Sequence, residues 1–207
     1  MGYGTRFPVD PRNYTRLAEL SLPANAGAPE AIPFVYYDTA TLATNWTTAS
    51  FFATPQTDKT LGNIEQGGTI PADTYFQLYS VNLDFLIPTV ANSAATADAV
   101  GDVLQIFWGA RATFNLNIEG KTYGPIPASC LHGTGGVEAS IVGVPAAAAL
   151  ANVGQNLRPD GGWWADGAII LRPTASFSVR LDGVAAALVA SRQVRISMMG
   201  VKYRVVR

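Results

Sequence analysis

The chain has 207 residues, is 48% apolar and only 14% charged, and carries a formal net charge of −1. That length suits one domain with a substantial core, and the sparse, nearly balanced charge speaks against a strongly basic nucleic-acid binder. A single cysteine, Cys130, excludes an internal disulfide framework, and a single histidine, His132, excludes a multi-histidine metal centre within one copy.

The first segment, residues 1–31, predicts an extended arm. Pro8, Pro11, Pro23 and Pro29 interrupt any long helix, and Gly2, Gly4 and Gly27 add conformational freedom. Such a terminus stays ordered only against a surface, its own domain or a neighbour. Arg6, Arg12 and Arg16 make it basic. It lacks a basic-then-apolar secretory signal, and no window of eighteen continuous apolar residues marks a membrane helix. The expectation is a protein made and assembled in a reducing cytoplasm.

Residues 32–207 are expected to form one β domain. Ile32–Asp38 and Trp46–Ala53 read as short strands. A long polar stretch follows from Thr54 to Thr74, and its length marks it as functional or internally structured. Asp58, Glu65 and Asp73 lie on it and could offer oxygen ligands to calcium, although solvated loop acids are the plainer reading. Tyr75–Ile87 nearly alternates apolar and polar residues, as a half-buried strand does.

Asn92–Ala110 is the one strong helix candidate. Val100, Val103, Leu104 and Phe107 fit helical spacing, and Ser93 could cap it. Arg111–Ile118 alternates, and Glu119-Gly120-Lys121 turns the chain into Thr122–Ile126. Ala128–Gly136 is a possible further strand. On a strand, Cys130 and His132 would share a face, the one arrangement resembling a nucleophile pair; a core cysteine beside a polar histidine is the simpler assignment. Ala146–Val153 is a possible short helix.

Trp163–Leu171 and Ser176–Asp182 read as strands around Arg172-Pro173. Val194, Ile196 and Met198 share one face of a closing strand, and Gly200 permits a bulge before Val201, Tyr203 and Val205 resume the alternation. Adjacent Trp163 and Trp164, with Trp46, Trp108 and eight tyrosines, suggest core packing together with a subunit interface, with a sugar platform as the rival. Arg195, Lys202 and Arg204, with Arg192 and Arg207, are expected mostly on one strand face, meeting acidic groups of a neighbour in preference to nucleic acid. The sequence contains no Walker A, GxGxxG or GxSxG spacing.

Charge is unevenly distributed. Residues 1–16 carry +2, residues 17–110 carry −8 and residues 111–207 carry +5. The halves either neutralise each other within one domain or meet between subunits.

Eight to ten short strands separated by turns predict a mainly antiparallel, jelly-roll-like sandwich with one or two short helices. Four passages carry a family resemblance: Phe51–Gln56 with Lys59–Leu61 and Gln66–Pro71; the strand Tyr75–Phe85; Ala168–Leu181; and the ending Val194–Val206. Spread between residues 51 and 206, they total 53 of the 207 residues and are similar to bacteriophage virion proteins with jelly-roll folds. The resemblance implies a non-catalytic structural subunit without cofactor: a capsid, cement or decoration protein. It would occupy the virion and associate with its own copies, most simply as a trimer, and with other virion proteins. A receptor- or carbohydrate-binding fibre head is the alternative, and a β-sandwich enzyme a remoter one.

Overall fold

The computed structural model describes residues 30–86, 101–131, 137–142, 150–155, 163–185 and 188–204. For 137–142, 150–155 and 163–168 it describes backbone pairing alone. The strands are β1 (Glu30–Leu42), β2 (Thr48–Phe51), β3 (Thr74–Leu86), β4 (Thr113–Ile118), β5 (Lys121–Pro127), β6 (Val137–Val142), β7 (Leu150–Gln155), β8 (Trp163–Leu171), β9 (Phe177–Asp182) and β10 (Arg192–Arg204).

Two four-stranded antiparallel sheets form the body, in the orders β1-β10-β3-β8 and β2-β9-β4-β5; β6 and β7 pair as a separate hairpin. With that hairpin set aside, the first strand pairs with the last and the second with the last but one. Continuing inward, β3 pairs with β8 and β4 with β5. This nested pairing is the jelly roll: one long antiparallel ribbon rolled so that its two halves face each other.

Alternation builds the core. Val194, Ile196 and Met198 of β10, Val81, Leu83 and Phe85 of β3, and Phe114 and Leu116 of β4 are buried together with Val179 and Leu181 of β9 in one cluster between the sheets. Phe51, Phe52, Phe76 and Phe114 are among the largest fully buried side chains, and burying each contributes about 1.5–3 kcal/mol. Phe34, Tyr36 and Phe76 stack edge to face at 4.9 Å along this interior.

The bulge expected near Gly200 exists, but the extra residue is on the partner strand. Met199 pairs with Ser80 and Gly200 with Leu78, leaving Tyr79 of β3 unmatched. A Cβ on Gly200 would lie 2.1 Å from the Gln77 carbonyl oxygen and 2.7 Å from the Phe76 ring, so only glycine allows this approach. The alternation of β10 runs on unbroken. Val201 and Tyr203 therefore lie on the sheet's other face, where they cluster with Tyr79. There the Tyr203 hydroxyl donates to Gln77 Oε1 at 2.9 Å.

The polar stretch between β2 and β3 is structured. Ile64 and Ile70 are fully buried, and isolated bridges join Gly62 to Asp38 and Thr69 to Ser176. Its Asn63 covers part of the β1 edge. The Tyr37 amide donates to Asn63 Oδ1 at 2.9 Å, Asn63 Nδ2 donates to the Val35 carbonyl at 2.7 Å, and the Asn63 amide donates to the Tyr37 carbonyl at 3.1 Å. At the edge of the other sheet, β5 carries Pro125 and Pro127, which have no N–H to offer a further strand.

Two sequence expectations are corrected. Ala128–Leu131 is a 3-10 turn and not the start of a strand. Ala128 and Leu131 stand three apart and are both buried, a spacing that a single tight turn satisfies. Residues 150–153, expected in a helix, belong to β7, where pairing with β6 overrides alanine's helical preference. Of the Asn92–Ala110 helix, residues 101–104 are α-helical and Gln105–Gly109 form a π turn. Residues 92–100, with Ser93, lie outside the described residues.

Candidate interaction surface

The ends of the roll differ. One end gathers Leu42, Leu86 and Arg192, the other Glu30, Thr74 and Arg204. At the first end the helical segment packs Val103, Ile106, Phe107 and Ala110 into the core. Leu104 and Trp108 lie off that stripe, four apart, and Trp108 is 69% exposed. Residues 183–185 and 188–190 lie beside the helix, the former near its end and the latter near its start. The Val184 amide donates to the Ala110 carbonyl at 2.8 Å and the Val189 amide to Asp102 Oδ1 at 2.7 Å. Val184 and Val189 are exposed, at 57% and 67%. Two adjoining segments thus place four large apolar side chains in solvent at one end of the body, more than scattered surface residues require.

This platform is held rigidly. Asp102, itself buried, accepts Arg192 Nε at 2.6 Å and the amides of Val189 and Ala190. The Gly183 amide donates to the Thr47 carbonyl and that of Leu188 to the Thr44 carbonyl. A charged pair removed from water is stabilising only when its remaining hydrogen-bonding capacity is filled, and Asp102 meets that condition. The pair also joins the acidic stretch to the basic one inside a single copy.

The residues singled out from the sequence separate into groups. Arg6, Arg12, Arg16 and Arg207 lie outside the described residues. Trp46, expected at an interface, is instead a core residue at 5% exposure, where its ring lies against Gly183. The backbones of Trp163 and Trp164 pair opposite Val81 and Ser80; their side chains lie outside the description.

On β10, Arg192, Lys202 and Arg204 have the same parity and so share one strand face, and Arg195 lies on the other. Arg195 alternates with the core-facing Val194 and Ile196, so it lies on the outer face. There it donates to the Thr60 carbonyl at 2.7 Å and sits 5.2 Å from the Tyr37 ring centre. Lys202 falls on the opposite side, 5.0 Å from the Phe34 ring centre. Arg204 is exposed at the strand's end. The unbroken period of two sets Arg195 apart from the other three.

Cys130, expected in the core, is exposed, because the 3-10 turn directs Ala128 and Leu131 inward. His132 lies outside the described residues. Among the described residues no three His, Cys, Asp or Glu side chains are grouped to hold a metal ion. Asp58 instead accepts the Thr60 amide and hydroxyl, each at 2.8 Å. These bonds, the backbone one foremost, hold its carboxyl below the usual range.

Sequence reasoning placed the helix and counted Trp108 among the aromatics of a possible interface, without setting it apart from them. The available signal was its position four after Leu104, outside the stripe of Val103, Ile106, Phe107 and Ala110. No helix among the described residues is long and apolar enough to cross a membrane. The sequence matches no family model and no curated protein. Fold and surface are therefore the observations on which a functional reading rests.

Proposed function

We propose that this chain is a structural subunit of a bacteriophage particle, a capsid, cement or decoration protein that associates with its own copies and with other virion proteins. The observation that carries the reading is the Leu104, Trp108, Val184 and Val189 platform on a rigid jelly roll. Large apolar groups presented by fixed backbone are what a subunit needs to bind a neighbour with little ordering cost. The roll is an architecture that viral shells use, along with lectins and cupins. The resemblance of Phe51–Pro71 and Val194–Val206 to phage virion proteins favours the first of these. The role is mechanical and non-catalytic, and the simplest assembly is a trimer.

The exposed Trp108 ring also supports a second reading, a carbohydrate- or receptor-binding head. Sugar sites combine an aromatic face with polar groups for the hydroxyls, whereas Trp108 is accompanied by Leu104, Val184 and Val189. Association between proteins suits that company better.

Sedimentation velocity on the purified chain, with electron microscopy of the product, tests the proposal. Discrete oligomers or shell-like particles are expected. A strict monomer at high concentration that also fails to bind phage shells would overturn it. Glycan-array binding lost in Trp108→Ala would favour the second reading.

A further inference from the structure

We infer that the Trp108 platform is the docking site for the N-terminal arm, residues 1–29, of a neighbouring copy. The inference rests on the subunit reading above and specifies which surfaces meet.

The first argument is where the arm joins the body. β1 begins at Glu30, opposite Arg204 and Thr74, and runs to Leu42 beside Arg192 and Leu86. The platform lies at the Leu42 end, since the Leu188 amide bonds Thr44 and Asp102 bonds Arg192. Arm attachment and platform thus occupy opposite ends of a strand 13 residues long, a separation of about 40 Å at the strand rise of roughly 3.3 Å per residue. To reach its own platform the arm would have to reverse and travel the length of the body. A copy stacked end to end brings the platform of one next to the arm attachment of the other. Such a contact is heterologous, joining unlike patches, and repeated by rotation it closes a ring.

The second argument is fit. Residues 1–29 contain Tyr3, Phe7, Val9, Leu17, Leu20 and Leu22, spaced among prolines and glycines. A segment of that composition gains its ordering energy by burying scattered apolar side chains on another surface. The platform offers four apolar side chains on backbone already fixed by Asp102 and by the Gly183 and Val184 amides, so the ordering cost falls on the arm alone.

The test uses the full chain with a photo-cross-linking amino acid, p-benzoylphenylalanine, in place of Trp108 or, in a second variant, Val189. Each variant is co-assembled with an equal amount of isotopically heavy wild-type chain, and circular dichroism verifies folding. Cross-links from both positions to peptides within residues 1–29 of the heavy chain are the expected result. A third probe at Lys121, at the far end of the body, is expected to lose them. In parallel, Trp108→Ala should weaken self-association by about tenfold or more, the size of a central aromatic truncation. Assemblies in which neither probe reaches residues 1–29, or in which cross-links stay within one isotopic copy, would overturn the inference while leaving the subunit reading standing. A wild-type chain that never self-associates would overturn the inference, and one that also fails to bind phage shells would overturn both.

Discussion

The Asp38 carboxylate receives the Phe52 amide at 2.5 Å, and through that bond β1 holds the start of the long connection after β2. Phe52 is fully buried and has φ of 60°, a left-handed conformation that a non-glycine side chain adopts at an energetic cost. The same carboxylate accepts the Thr39 amide at 2.9 Å and Gln56 Nε2 at 3.0 Å. Three donors converge on it, so Asp38→Asn would turn an amide group toward an N–H. Urea unfolding should show a loss of about 2–4 kcal/mol, the penalty of a buried donor left unpaired plus the strain no longer offset at Phe52. Unchanged stability would mean that Asp38 does not hold this turn.

Gly200 lies where β3 carries its extra residue, Tyr79. Gly200→Ala places a methyl against the Gln77 carbonyl, which is backbone and has little freedom to move. The expected cost is about 1–3 kcal/mol, read as a lower urea midpoint with an unchanged slope.

Tyr36 is buried with its hydroxyl unpartnered. Burial, with a smaller push from Glu65, raises its ionisation from 10.0 to about 12. Tyr36→Phe keeps both ring contacts and removes the unpaired oxygen, so it should gain about 1 kcal/mol at neutral pH. The folded value is the higher one, so the wild-type contribution is intact below pH 10.0 and falls as the pH rises toward about 12, because the unfolded phenol ionises first. The advantage of the phenylalanine variant should therefore widen across that interval, as measured by unfolding at successive pH values. A constant difference would show that the phenol does not feel its burial.

Asp102→Ala removes the partner of Arg192 and of two amides together. With the Arg192 side chain only 14% exposed, the expected loss is about 3–5 kcal/mol, typical of an uncompensated buried charge. Limited proteolysis should show cleavage moving to residues 188–190. A variant as resistant as wild type would separate the loop from Asp102.

Cys130 should react with a maleimide in native buffer to completion, at a rate that denaturant does not increase, because its turn is exposed. Protection until unfolding would restore the core placement.

Much of the roll is legible in the sequence, because its strands alternate. Tyr75–Ile87 and Arg192–Met198 declare themselves through the period of two; the first appears with nearly the expected bounds, and the second runs on through Gly200 to Arg204. What remains hidden is set by partners distant in sequence. Nothing local shows that Trp46 will close over Gly183, or that Arg192 will reach Asp102. The strand expected at Ala128 depends on a neighbour that the turn dispenses with. The platform is hidden for the same reason: it exists only once Val184 and Val189 lie beside the helix, about 80 positions away in sequence, and a helical stripe drawn for Val103 and Phe107 alone casts Trp108 as one more aromatic.

The Asn63 side chain on β1 and the prolines of β5 bear on how copies can meet. An exposed sheet edge invites any passing strand, including that of an identical chain, and growth by that route has no natural stop. Here the polar groups of Val35 and Tyr37 facing that side are already engaged by Asn63, and β5 withholds two amides. Copies that concentrate together are thereby turned away from fibrous stacking along those margins. Contact is steered to the ends of the roll, where a head-to-tail contact closes into a ring only if its rotation divides the circle.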